Sequence, residues 1–187
     1  MIQEKTEGLD TGMEKMEYTD IESLPREKLI ELIQMYAKDW LAHDGCWFLS
    51  IEKKRGIDEA MEHDANAWKQ FTQIEARRIK EFLGLPEYAG VEGLAQAFKF
   101  RFQASLNDPE VIVEGNTVTY RARKCRTQDA RERKGLDYFP CAPVGIVEYG
   151  YFAKTIDPRF EAETISCAPD ITDPTARCVW KFTLKED

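Results

Sequence analysis

The chain has 187 residues, of which 43% are hydrophobic and 32% charged, a composition typical of one folded domain. Its formal net charge of −8 disfavours general binding to nucleic acid or to an anionic membrane surface. No apolar run is long enough to span a membrane, so we expect a cytoplasmic protein without a membrane partner.

The first half of the chain is predicted to be helical. Residues 1–20 are polar and lack periodicity, and we interpret them as a disordered acidic tail. From residue 21 to 187 the pattern predicts a single α+β domain. Apolar residues spaced by three and four positions predict helices throughout residues 24–106. The helices are centred on Leu29–Leu41, Ile57–Leu83 and Val91–Leu106.

The pattern changes after Asp108, where short apolar runs predict strands. Val111–Val113 and Val118–Tyr120 flank a Gly-Asn turn and predict a β-hairpin. A short helix over residues 127–135 and a longer one over Pro143–Ile156 are expected to follow.

A second antiparallel pair is predicted at the end of the chain, over Phe160–Cys167 and Cys178–Leu184. Within the last strand, Cys178, Trp180 and Phe182 share one face by the period-two alternation of a strand. The two hairpins and their intervening helix occupy residues 110–184. The expected fold class is therefore α+β, with N-terminal helices packed on a small four-stranded antiparallel sheet.

Four of the five cysteines lie in the C-terminal third, each at the edge of a predicted element: Cys125, Cys141, Cys167 and Cys178. If they converge, they would suit a four-cysteine zinc or iron–sulfur site, the only cofactors that the sequence suggests. No Cys-x-x-Cys pair supports that site, however, and an odd number of cysteines argues against a disulfide framework. Three interpretations stay open: buried free cysteines that act as small hydrophobes, a reactive thiol, or a metal site.

A basic cluster surrounds Cys125 in this otherwise acidic chain. Arg121, Arg123 and Arg126 are candidates for holding a ligand carboxylate or phosphate through charge-assisted hydrogen bonds. Strict alternation would place Arg121, Arg123 and Cys125 on one side of a strand. Nearby cations would also lower the pKa of the Cys125 thiol and make it more nucleophilic. The alternative is a solvated strand end followed by a solvated helix face.

The aromatic content is high enough to supply both a core and an apolar ligand pocket. Phe98, Phe100 and Phe102 alternate within a predicted helix and cannot all face one way. Tyr149 and Trp180 are the aromatic candidates for contact with a ligand. Exposed aromatic residues would equally suit a homodimer interface.

The C-terminal sequence also resembles a known group of proteins. The segment Glu163-Thr164-Ile165-Ser166-Cys167, followed by a loop and Cys178-Val179-Trp180-Lys181-Phe182, resembles the closing motif of the 4-vinyl-reductase domain. It is similar also to the related L-2-amino-thiazoline-4-carboxylic acid hydrolase-like family. The resemblance covers roughly residues 110–184, including Cys125 and Cys141. It implies an α+β fold with an enclosed pocket for a small cyclic or apolar ligand, and it adds Asp170 to the candidate site residues.

Three functions follow as hypotheses. The first is a cytoplasmic small-molecule-binding protein with a cysteine-lined pocket, whose ligand is a small carboxylate or an apolar cyclic compound. The second is a thiol-dependent hydrolase of a cyclic C–N or C–S substrate, in which Cys125 or Cys167 attacks and Asp170 or water handles protons. The third is a metalloprotein that uses the four C-terminal cysteines.

Overall fold

The structure is a computed structural model, and it describes residues 18–186. The predicted acidic tail over residues 1–20 lies outside the described residues, apart from its last three. The described part of the chain divides between Ile33 and Gln34 into two compact units. In the first, the Ser23 N–H donates to the Asp20 carboxylate at 2.8 Å, and the Ser23 hydroxyl donates to the Asp20 carbonyl at 2.8 Å. The prediction of one domain over residues 21–187 stays a prediction.

The helices agree with the predicted order but differ in length. They are α1 (Arg26–Arg55), α2 (Ile57–Leu83), α3 (Gly90–Phe98), α4 (Ala104–Asn107), α5 (Arg126–Arg133) and α6 (Ala142–Ile156). Helix α2 has the predicted bounds because a glycine stands at each end. Gly56 and Gly84 both have positive φ angles, of 93° and 64°, which residues other than glycine rarely adopt.

The strands form one antiparallel sheet and confirm the α+β class. They are β1 (Pro109–Glu114), β2 (Thr117–Ala122), β3 (Phe160–Ser166) and β4 (Cys178–Leu184), in the spatial order β1-β2-β4-β3. Both predicted hairpins are present, and β4 joins them by pairing with β2 as well as with β3. This pairing brings the ends of β2 and β4, at Ala122 and Cys178, side by side.

The predicted helix over residues 91–106 is wrong in one respect, because the chain leaves the helix after Phe98. Residues 99–103 form turns before the short α4 begins. The break turns the Arg101 side chain into the interior, where it is 3% exposed. It also separates the environments of Phe98, which is fully buried, and Phe100, which is exposed.

The main hydrophobic core lies between the sheet and helices α2, α3 and α6. Phe98 stacks on Phe152 with ring centroids 5.3 Å apart and also contacts Tyr120 and Phe182 at 5.0 Å. Trp180 and Phe182 are buried on the same face of β4, as the alternation of that strand predicts. A smaller cluster centred on Trp68, Phe139 and Val144 packs beside it.

Two findings bear on partners. Within residues 18–186, no helix combines the length and the apolarity needed to cross a membrane. Trp47, Phe82 and Phe100 are exposed on the surface. A homodimer that would cover them stays a prediction.

Helix α6 approaches β4 closely at a glycine. A Cβ atom added to Gly145 would lie 2.5 Å from the ring of Trp180, a residue that is 1% exposed. Gly150, one and a half turns later in the same helix, has only ordinary space around it, with the Ala162 Cβ at 3.7 Å. Gly145 therefore sets the distance between α6 and the sheet.

We expect Gly145→Ala to lower the free energy of unfolding by about 1–3 kcal/mol, because the added methyl overpacks the close contact with the Trp180 ring. The matched control Gly150→Ala should raise it by about 0.5–1 kcal/mol, since alanine costs less conformational entropy in a helix. Urea denaturation followed by circular dichroism measures both. Equal effects of the two substitutions would contradict a close contact specific to Gly145.

Candidate functional site

A cavity of about 400 Å³ lies within the second unit, where the last part of α1, α2, α5 and α6 meet the ends of β2 and β4. Its apolar walls are formed by Leu41, Phe48, Leu49, Trp68, Phe139 and Val144. The volume falls within the range of natural small-molecule sites, roughly 300–1,000 Å³. Of the predicted ligand-binding residues, Arg126, Tyr149 and Trp180 line this cavity.

Two polar contacts hold α5 and the following loop against the cavity. Arg131 of α5 makes a two-pronged ion pair with Glu52 of α1, at 2.8 and 2.9 Å. Gln128, also on α5 and 4% exposed, exchanges two hydrogen bonds with the backbone of Phe139, at 2.7 and 3.0 Å. Because these contacts join α5 to α1 and to the backbone of Phe139, they position the mouth of the cavity.

A buried ion network forms the inner end of the site. Arg101 lies 3.0 Å from the Glu75 carboxylate and 2.8 Å from that of Glu148. Gln103 donates a further hydrogen bond to Glu148 at 2.8 Å. Burial raises the pKa of Glu148, and the Arg101 charge opposes that shift. Glu148 and Gln103 both line the cavity, so its inner wall is polar.

Two further carboxyls face the cavity from the helices. Burial raises the pKa of Asp64 to about 8, and the neighbouring charges of Asp44 and Glu148 raise it too, whereas the hydrogen bond with the Trp68 side chain lowers it. Burial also raises the pKa of Asp44 to about 6. At neutral pH the Asp64 carboxyl is therefore mainly protonated and uncharged.

The mouth of the cavity is positively charged. Five exposed cations line it: Lys38, Lys124, Arg126, Arg133 and Lys134. None of the five forms an ion pair with another residue in the part of the chain that the structure describes. We call this set the cationic rim. It is a local positive surface on a protein whose net charge is −8.

All five cysteines are free and line the cavity. The Cys141 and Cys167 sulfurs lie 3.3 Å apart, and Gln128 donates to the Cys141 sulfur at 3.6 Å. The hydrogen bond from the Cys167 thiol lowers the pKa of Cys141. The same bond, together with one to Cys178, raises the pKa of Cys167. The proximity of Cys167 and Cys178 that the last hairpin predicts is thus present.

The expectation for Cys125 is wrong. Strand β2 ends at Ala122, so Cys125 lies at the start of α5 and does not share a strand face with Arg121 and Arg123. Burial raises the pKa of its thiol to about 12, against the lowering effect of the Gln128 and Thr127 N–H groups. Desolvation therefore outweighs the nearby cations, and the Cys125 thiol is not activated.

Three predicted site residues lie outside the cavity. Arg121 pairs with Glu110 at 3.2 Å and with Asp173 at 3.0 Å. Arg123 is exposed and pairs with Glu110 at 3.1 Å. Asp170 is exposed, and its backbone bridges Cys167 in the loop after β3. The roles assigned to these three side chains have no support from the geometry.

The four predicted metal ligands all line the cavity. Among residues 18–186, no group of three or more His, Cys, Asp or Glu side chains is arranged so that it could hold a metal ion. A zinc or iron–sulfur site formed by Cys125, Cys141, Cys167 and Cys178 therefore has no support from this arrangement.

Comparison with known families places the whole folded region in one group. A family of unknown function, DUF6125, matches residues 22–184, which include every element of the sheet and the cavity. The chain belongs to the DUF6125 family. No curated protein and no solved structure matches this DUF6125 chain. Its resemblance to the 4-vinyl-reductase domain and to the hydrolase-like family stays a prediction.

Sequence reasoning missed the carboxyls of this DUF6125 site. Asp64 lies three residues after Met61 and four before Trp68, so it shares the apolar face of α2. Glu148 is an acid within the apolar run of α6. An acidic side chain on an apolar face is the signal that would have identified both, because burial of a lone carboxyl is costly.

The raised pKa of Asp64 predicts a specific pH dependence. The folded state keeps a proton that the unfolded chain releases near pH 4, so Asp64 reduces stability as the pH rises from about 4 to about 8. We therefore expect Asp64→Asn to raise the free energy of unfolding at about pH 8.5 and to change it much less at about pH 5.

Urea denaturation at the two pH values measures this difference. The exposed Asp39 of α1 provides the control variant Asp39→Asn, which should keep the wild-type pH dependence. An Asp64→Asn variant whose stability follows the wild type at every pH would refute a buried, protonated Asp64.

Proposed function

We propose that this DUF6125 protein binds a small organic anion with an apolar ring, such as an aromatic or cyclic carboxylate, in the cavity. The observation that carries the proposal is the cationic rim, five exposed cations without ion-pair partners in the described part of the chain, above an apolar cavity. Burying the ligand's ring against the walls would supply affinity, and the rim would select the anion.

The cavity walls suit such a ligand. Trp68 and Phe139 are buried aromatic side chains that could flank a ring. The Trp180 indole nitrogen and the Asn107 amide oxygen are buried and have no hydrogen-bond partner among the described residues. Both residues line the cavity. A polar ligand group that pairs with either atom would remove the cost of leaving it unsatisfied.

Two of the three carboxyls that line the cavity do not oppose an anion at neutral pH, whereas Asp44, with a pKa of about 6, is mainly ionised there. Asp64 is mainly protonated, and Glu148 faces the permanent charge of Arg101. The rim cations therefore dominate the field that an entering ligand meets. Ionisation of Asp64 above about pH 8 would weaken anion binding.

A cytoplasmic location is part of this proposal, supported by five cysteines that are all free. Reducing compartments keep thiols in that state. We propose no nucleic-acid partner, because the rim is a small surface on an acidic chain.

One observation favours a second candidate, a thiol-dependent hydrolase. Cys141 lines the cavity and has a lowered pKa, which favours a nucleophilic thiolate. The attacking residue would then be Cys141, since the thiols of Cys125 and Cys167 have raised pKa values. Neither histidine lines the cavity, so Asp64 or Glu148 would have to transfer the protons.

The first test uses 2-naphthoate, its neutral analogue 2-naphthamide and 2-naphthylmethylamine in isothermal titration calorimetry. We expect binding in the order naphthoate, naphthamide, amine, because only the carboxylate pairs with the rim. Arg126→Gln should weaken naphthoate binding about five- to tenfold and leave naphthamide binding unchanged.

Arg123→Gln is the matched control, since it removes the same charge from an exposed residue outside the cavity. Its naphthoate affinity should equal that of the wild type. Equal losses in the two variants would indicate a general charge effect, and equal binding of naphthoate and naphthamide would exclude the rim as the anion site.

The second test separates binding from hydrolysis. We expect 2-amino-thiazoline-4-carboxylate, a small cyclic carboxylate, to bind without being opened. Mass spectrometry of the incubated compound measures ring opening. Ring opening that is lost in Cys141→Ser and kept in Cys46→Ser would contradict the binding proposal and favour the hydrolase.

A further inference from the structure

We propose that Cys141 and Cys167 form a peroxide-sensitive dithiol, in which Cys141 is oxidised first and Cys167 resolves it to a disulfide. The oxidant is hydrogen peroxide or an organic hydroperoxide. This proposal concerns a modification of the cavity wall and does not depend on the identity of the ligand.

The distance between the two sulfurs is the first reason. They lie 3.3 Å apart, so the two sulfur atoms need to move only about 1.3 Å closer to reach the length of a disulfide bond. The backbones on either side are already joined, because the Ala142 N–H donates to the Ala168 carbonyl at 3.0 Å. These are the residues that directly follow the two cysteines, so the bond can form without separating α6 from the end of β3.

The different accessibility of the two thiols sets the order of the reaction. Cys141 is half-buried, and its neighbour Cys167 is 1% exposed. A peroxide entering the cavity therefore meets Cys141. The hydrogen bond from the Cys167 thiol and the one from Gln128 both stabilise negative charge on the Cys141 sulfur.

The reaction balances in two steps. The Cys141 thiolate attacks one peroxide oxygen and the O–O bond breaks, so that Cys141 becomes a sulfenic acid and the leaving oxygen takes up the proton that the thiol released, giving water or an alcohol. The Cys167 sulfur then attacks the Cys141 sulfur, the S–O bond breaks, and the departing hydroxyl takes the Cys167 proton and leaves as water. Two thiols are oxidised and one hydroperoxide is reduced.

A third cysteine, Cys178, competes with Cys141 as the disulfide partner of Cys167. Cys167 also forms a hydrogen bond with the Cys178 thiol across the β3–β4 pair. Cys178 belongs to β4, and its partner in the sheet is Ala122 of β2. We expect Cys141 to be preferred because its sulfur lies 3.3 Å from that of Cys167 and accepts a hydrogen bond from Gln128.

The test treats fully reduced protein with one equivalent of hydrogen peroxide. We expect the count of reactive thiols in the denatured protein to fall by two from the five of the chain. The intact mass should fall by about 2 Da, the two hydrogens lost on disulfide formation. Peptide mapping should identify a Cys141–Cys167 link.

Variants identify the role of each thiol. Cys167→Ser should leave a sulfenic acid on Cys141 that dimedone labels, whereas Cys141→Ser should give neither the link nor a label on Cys167. Cys178→Ser is the control for the neighbouring sulfur and should form the same link as the wild type. If a variant fails to fold, peptide mapping of the wild-type protein still decides which pair forms.

Three outcomes would overturn the proposal. A Cys167–Cys178 link would assign the pair differently, and preferential oxidation of the exposed Cys46 would show that exposure alone controls the reaction. Purified protein that retains one zinc per chain and whose thiols resist peroxide would favour the metal site instead. Naphthoate binding is measured in a separate experiment. A protein that does not bind naphthoate could therefore still form the Cys141–Cys167 disulfide.

Discussion

The fold depends on a buried arginine that ties three parts of the chain together. Arg101, 3% exposed, sits between Glu75 of α2 and Glu148 of α6, and its guanidinium lies 4.7 Å from the Phe152 ring centre. The Glu75 carboxylate also accepts the Phe102 N–H at 3.0 Å. Removing one partner of such a buried network costs about 3–5 kcal/mol, because the remaining charge is left unpaired.

This network also explains the position of the cavity. It ends α3 at Phe98, directs the chain toward α2, and presents Gln103 and Glu148 at the inner wall. From there the lining changes outward, from a neutral carboxyl at Asp64 and apolar walls to the exposed cations of the rim. The gradient from a polar interior to a positive mouth suits a ligand with a ring and an anionic group.

The cysteines give the same cavity a second chemical property. Their sulfurs lie beside the surface where a ligand would bind, so an oxidised Cys141 would change both the shape and the polarity of the wall. A ligand that fills the cavity would in turn shield Cys141 from peroxide. Binding and thiol chemistry would then be linked through one space, and each can be measured without the other.

The sequence by itself determined the fold class and most of the elements. Periodicity predicted α2, both hairpins and the buried face of β4, because each depends on local alternation and on turn residues such as Gly84 and Gly115. It also identified four cysteines and Arg126 as candidates for one site, and the structure brings them to one cavity.

Only the tertiary structure decided which of these residues act together. Arg121 and Arg123 looked equivalent to Arg126 in the sequence, but β2 ends at Ala122 and these two arginines pair with carboxylates outside the cavity. The thiol of Cys125 was expected to be activated by charge and is instead suppressed by burial. The contacts of Asp64, Arg101 and Glu148 join residues distant in sequence. Desolvation and long-range pairing depend on the packed chain, and no local pattern of residues encodes them.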